Sequence, residues 1–186
     1  MKIYQYKDYD EYVEIQTAAN KIKEGWVFAR KSTIRQICDN QREASNVLCH
    51  GTRNGAEQKM FLQQFPKSYV IGTEISDTAT KYPMTVQHDF SKPKEEWVGK
   101  FDIVYSNAFD HSICPEETIK VWGDQLNEHG RVYLEYTEES SICLPADPLE
   151  ATLKEVENMI TSCGFKIEKR FSKNVTQRGI VLVLRR

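Results

Sequence analysis

At 186 residues the chain has the length of one domain with enough mass to bury a core, and its 40% hydrophobic and 28% charged composition excludes a disordered or fibrous chain. The formal charge of -2 supplies no general basic field for a nucleic-acid backbone, and no apolar run reaches the length of a membrane span. Five cysteines without a C-x-x-C pair, four scattered histidines and a charged, tyrosine-rich start with no signal-type apolar stretch point to a reducing cytoplasm, with no disulfide framework and no metal.

In chain order, Asp8–Lys23 reads as an amphipathic helix with Tyr9, Tyr12, Val13, Ile15, Ala19 and Ile22 mostly on one side. A second helix is expected over Lys31–Asn40. The basic residues Lys21, Lys23, Arg30, Lys31 and Arg35, like those from Lys166 to Lys173, read as solvated faces. From Asn46 onward short apolar strands alternate with helices. The strands are Val47–His50, Tyr69–Glu74, Thr85–His88, Asp102–Ser106, Arg131–Tyr136, Phe165–Phe171 and Gly179–Leu184. The helices fall around Asn54–Gln64, Pro115–Asn127 and Pro148–Ser162, with only turns or short helices after Asp77 and through Ser91–Val98. This rhythm predicts a mostly parallel sheet covered on both faces. The last two strands are separated only by the polar loop Ser172–Arg178, so they should pair antiparallel. No linker or repeat divides the chain, which gives one domain over 1–186: a helical cap at 1–45 and an α/β core at 46–186.

The segment Cys49-His50-Gly51-Thr52-Arg53-Asn54-Gly55 runs from a strand through a tight turn into a helix. Glycines at both ends let backbone approach a ligand, although a plain strand-helix connection has the same form. Glu74 ends the next strand, where a Rossmann-like sheet holds an acid that accepts from ribose hydroxyls. Asp89 follows the third strand on the same edge, positioned to accept from an adenine amino group, with Phe90 as apolar cover. Three features at the ends of successive strands thus fall in the order that one nucleoside ligand requires.

From Asn46 to Arg186 this series resembles the class I S-adenosylmethionine-dependent methyltransferases. His50–Gly55 stands where that family has its glycine-rich first motif, and Glu74 and Asp89 match its ribose and adenine acids. Asp102-Ile103-Val104-Tyr105-Ser106-Asn107 resembles its fourth motif, and Gly130–Leu134 the turn into its fifth strand. The resemblance implies a three-layer Rossmann-like sandwich, strand order 3-2-1-4-5-7-6 with strand 7 antiparallel, and N-terminal helices. It also implies S-adenosylmethionine as cofactor, S-adenosylhomocysteine as product, and a cofactor site built from His50, Gly51, Thr52, Arg53, Asn54, Gly55, Glu74, Ile75, Asp89, Phe90 and Asn107. Two positions depart from the family pattern: Cys49 replaces the usual acid two residues before the first glycine, and Arg53 replaces the middle glycine.

Methyl transfer requires alignment and exclusion of water, and a base only where the acceptor loses a proton. His111, oriented by Asp110, is the candidate base, although Asp and His ahead of Pro115 also suit a helix-capping loop. Glu135, Tyr136 and Glu138 are candidates for the acceptor side. Tyr4, Tyr6, Tyr9 and Tyr12 suit a lid or, for Tyr9 and Tyr12 above all, core packing. A small-molecule hydroxyl or amine is the expected acceptor, ahead of nucleic acid. The rival readings are a non-catalytic nucleoside- or partner-binding module on the same fold and an NAD-dependent oxidoreductase, whose full Gly-x-Gly-x-x-Gly loop is missing here.

Overall fold

The computed structural model describes residues 1–137, 143–171 and 179–186. Seven strands form one sheet: β1 (Asn46–His50), β2 (Tyr69–Glu74), β3 (Thr85–Gln87), β4 (Phe101–Ser106), β5 (Leu126–Tyr136), β6 (Lys166–Phe171) and β7 (Ile180–Arg185). Their order across the sheet is β3-β2-β1-β4-β5-β7-β6. The first five run parallel, and β7 is antiparallel to both β5 and β6. This is the mostly parallel arrangement with an antiparallel seventh strand that the sequence rhythm and the resemblance implied.

The central strands are apolar on both faces because both are covered. In β1, Val47, Leu48 and Cys49 have no exposure. Val47 and Cys49 join the cluster of Ile34, Ile37, Phe61 and Tyr105 on one side. Leu48 joins Val104, Phe109, Trp122 and Leu134 on the other. Parallel strands buried on both faces read as continuous apolar runs, which is why the sequence displayed them clearly.

The helices are α1 (Tyr9–Ile22), α2 (Lys31–Gln41), α3 (Ala56–Gln64), α4 (Pro115–Asp124) and α5 (Leu153–Ser162). Their starts follow local chemistry. Asp8 caps α1 by accepting from Glu11 N–H, Pro115 opens α4, and Thr152 forms a reciprocal capping box with Glu155 at α5. That capping box begins α5 at Leu153, not Pro148. The preceding Leu149–Glu150 instead pairs antiparallel with Lys2–Ile3. β5 is likewise longer than expected, because Leu126 already pairs with Phe101 before a register shift.

The terminal ladder decides where α1 lies. Tyr4 N–H also donates to Pro148 C=O (2.9 Å), so the chain enters α1 beside the loop that precedes α5. The buried positions of α1 are Tyr12, Gln16 and Asn20. This corrects the expected apolar face: Tyr9 is 42% exposed and Ile22 is 80% exposed. Spacing of four residues puts Tyr12, Gln16 and Asn20 in one row, and that row covers a polar surface at the carboxyl edge of the sheet. No helix among the described residues is long and apolar enough to cross a membrane.

Candidate functional site at the carboxyl edge of the sheet

The turn after β1 approaches its surroundings closely. Gly51 has φ of +69°, and a Cβ there would lie 2.6 Å from the Ala108 Cβ, so both the backbone conformation and the space require glycine. Thr52 N–H donates to Thr73 C=O (2.9 Å), and Gly55 N–H donates to Thr52 C=O (3.0 Å), which folds the turn back on itself. Asn54 Nδ2 donates to Glu24 C=O (2.8 Å) and Trp26 C=O (3.1 Å). The turn thereby holds the α1–α2 connection over its outer side.

At the end of β2, Glu74 is 6% exposed. Its Oε2 accepts from Arg53 N–H (3.1 Å) and its Oε1 from Ser76 N–H (3.0 Å). These bonds aim the carboxylate, and each oxygen retains a second acceptor position. Burial pushes its pKa up, opposed by the two backbone N–H groups and by Arg53. Beyond β3, Asp89 accepts from Ser91 N–H at Oδ1 (2.8 Å) and from the Tyr9 hydroxyl at Oδ2 (2.8 Å). Phe90 is held edge-on to Trp122, with 5.6 Å between ring centroids.

One cavity of about 170 Å3 joins these groups. Its lining includes Gly51, Thr52, Arg53, Asn54, Glu74, Ile75, Asp89, Phe90, Asn107, Asp110 and His111. Two residues of the expected set fall elsewhere. Gly55 opens α3 behind the turn, outside the lining. The His50 side chain is turned into the core, 1% exposed, stacked on Trp122 at 5.0 Å. His50 Nε2 lies 2.8 Å from Gln125 Oε1 and Nδ1 lies 3.0 Å from the Thr73 hydroxyl. The carbonyl can only accept, so Nε2 carries the proton and Nδ1 accepts from Thr73. Burial then lowers the His50 pKa to about 3, keeping the ring neutral. Its side chain therefore packs in the core, outside the cavity lining.

His111 is positioned from two sides. Its Nδ1 lies 3.0 Å from Gln16 Oε1, while Gln16 Nε2 donates to Ala146 C=O (3.1 Å). The His111 Nε2 lies 3.9 Å from Asp110 Oδ1 and 3.7 Å from Asp147 Oδ1. The Tyr12 hydroxyl donates to the His111 carbonyl (3.1 Å).

Sequence reasoning missed Gln16 and Asn20 of α1, Lys23, Trp26 and Phe28 of the connection, Glu57 of α3 and Asp147, all of which line the cavity. The four-residue spacing of Gln16 and Asn20 behind Tyr12 in α1 was the available signal for the first two. Nothing local marks Asp147. Among the acceptor-side candidates, Glu135 is spent on Tyr105 and Gly179, and the Tyr136 hydroxyl donates to Ala151 C=O, both outside the lining. Glu138 lies outside the described residues. Tyr12 is packed as expected yet also walls the cavity, while Tyr9 covers Asp89.

No protein-family model and no curated protein sequence matches the chain. Among solved structures it is similar to the 1,6-didemethyltoxoflavin-N1-methyltransferase of Burkholderia thailandensis, with bound 1,6-didemethyltoxoflavin and S-adenosylhomocysteine. The TM-score is 0.76 and the identity 15%, over 97% of this chain and 91% of that one. It is also similar to a sugar N-methyltransferase from Streptoalloteichus sp ATCC 53650, with TM-score 0.67 and 13% identity over 100% and 97%. A [4+2]-cyclase shares the architecture with TM-score 0.62 and 11% identity, over 79% of this chain and 61% of its own, so one fold carries more than one reaction. The sheet order, the turn after β1 and the spatial likeness together give this chain the Rossmann-like fold of the class I S-adenosylmethionine-dependent methyltransferases.

Proposed function

We propose that the protein is an S-adenosylmethionine-dependent methyltransferase acting on a small-molecule hydroxyl or amine. The observation that carries this reading is the convergence of the Gly51 turn, Glu74 and Asp89 on one cavity, at the ends of three neighbouring strands. The cavity fits the cofactor: a close-packed glycine turn supplies the approach surface, two aimed carboxylates accept from nucleoside hydroxyl and amino groups, and Phe90 covers an apolar ring face. Asn107 adds a buried Nδ2 with no hydrogen-bond partner among the described residues, a donor directed to the methionine end. When bound, the cofactor supplies an activated methyl group on a sulfonium.

The chain's own residues then orient the acceptor and hold its proton. Gln16 gives its amide N–H to Ala146 C=O, so its oxygen faces His111 and fixes the ring proton on Nδ1. Nε2 is left as the basic atom. The Asp110 and Asp147 carboxylates both lie within 4 Å of it and face the side from which an acceptor proton arrives. The α1 helix and Trp26 close the outer side, which limits water and leaves room for a compact acceptor in place of a duplex. Residues 1–45 act as the cap of a single domain whose core is 46–186, and a cytoplasmic location suits this reading. The two methyltransferases named above act on small molecules, which supports the acceptor class.

Isothermal calorimetry tests the reading. S-adenosylhomocysteine should bind the native chain at micromolar strength, about -8 kcal/mol. Glu74→Ala and Asp89→Ala should each weaken it at least tenfold, and NAD should not bind. A folded native protein that binds NAD, or that fails to bind S-adenosylhomocysteine, refutes the proposal.

A further inference from the structure

Glu57 differs from Glu74 and Asp89 in having a carboxylate oxygen that nothing satisfies among the described residues. It lies in the first turn of α3, is 6% exposed and lines the cavity. Its Oε2 has no hydrogen-bond partner among the described residues. A buried carboxylate oxygen left without a donor is costly, and that cost persists where a ligand supplies the missing partner. Burial raises the Glu57 pKa to about 7, with Arg53 opposing the rise and Glu135 and Glu74 adding to it. Burial pushes the Cys49 thiol up and the charge of Glu57 adds to that rise, so the carboxylate acts on the position where the first motif lacks its acid.

Arg53 is the other departure from that motif. It holds φ of +45°, lines the same cavity and sets its guanidinium 4.9 Å from the centre of the Phe28 ring. Arg53 and Glu57 stand four residues apart, so one cation and one anion border the cavity within a single turn of chain. An amino-acid zwitterion requires that pair of charges, and a nucleoside alone requires neither.

We infer that Glu57 receives the α-ammonium group at the amino-acid end of the cofactor and Arg53 its carboxylate, so that the acid missing at Cys49 is supplied from α3 instead of β1. The two departures from the family pattern are then one compensated change. The inference rests on the cofactor reading above and assigns the half of the ligand that Glu74 and Asp89 do not touch.

The test compares two ligands on three proteins. S-adenosylhomocysteine carries the amino acid; 5′-methylthioadenosine has the same nucleoside and thioether without it. Calorimetry on the native chain, Glu57→Gln and Arg53→Gln should show S-adenosylhomocysteine weakened 10- to 100-fold in each variant, with 5′-methylthioadenosine within twofold of native. Equal losses for both ligands, or no loss for either, overturn the inference while leaving the cofactor reading intact. A native chain that binds neither ligand overturns both. A second readout separates a charge role from a structural one. The groups facing Glu57 are Arg53, Cys49, Glu74 and Glu135. At pH 6, S-adenosylhomocysteine binding measured in two buffers of different ionisation enthalpy should release close to one proton from native protein, from a carboxyl with pKa about 7, and measurably less from Glu57→Gln.

Discussion

Replacing Glu57 by Gln should stabilise the protein above neutral pH. The carboxyl titrates at about 7 in the folded chain against 4.5 when unfolded. The folded state therefore binds the proton more tightly, and stability from this group is complete below about pH 4.5 and is lost as pH rises through 7. A shift of that size corresponds to about 3 kcal/mol, or roughly 6–12 °C in Tm for a chain of this length. His50 runs the other way: its folded pKa is about 3 against 6.5, so its contribution is present above 6.5 and is lost as pH falls toward 3. Between pH 4.5 and 6.5 the two slopes oppose, which flattens the native profile. Urea denaturation of native and Glu57→Gln proteins at half-unit steps from pH 4 to pH 8 checks this. The stability difference should move in favour of the variant by about 3 kcal/mol across that range, and the variant should show a steeper loss in acid. Parallel curves for the two proteins, or a variant less stable at pH 8 than at pH 5 relative to native, would refute the argument that burial holds this carboxyl up.

The complementary variant, His50→Phe, should lose the acid-dependent part of its stability profile, so that its difference from native narrows by about 3 kcal/mol between pH 6.5 and pH 4, measured in the same titration. Tyr9→Phe removes the hydroxyl that donates to Asp89 Oδ2. On the proposed adenine role it should tighten S-adenosylhomocysteine and 5′-methylthioadenosine alike by a few-fold, about 1 kcal/mol, whereas tighter binding of neither would separate Asp89 from the ligand. Gly51→Ala puts a Cβ 2.6 Å from that of Ala108 at a φ of +69°. Thermal unfolding should register a loss of about 1–3 kcal/mol, and ligand binding should weaken with it.

Local chemistry wrote most of the fold into the sequence. The doubly covered strands are uninterrupted apolar runs, the caps at Asp8 and Thr152 act within three or four residues, and the Gly51 turn and the strand-end acids Glu74 and Asp89 follow directly from strand boundaries. The direction of single side chains was decided by the tertiary structure. His50 adjoins the glycine turn in sequence, yet its ring meets Trp122 and Gln125, which come from α4 and its C-terminal cap, more than seventy residues on. The buried face of α1 could not be chosen by hydrophobicity, because the helix packs over a polar cavity and its covered positions are Gln16 and Asn20 beside Tyr12. Asp147 meets His111 from the loop before α5, the same loop alongside which the Lys2–Ile3 ladder draws the N-terminal segment. Pairing across some 145 residues leaves no periodic trace in the chain; it is fixed when the two segments find each other, and with it the polar wall of the site.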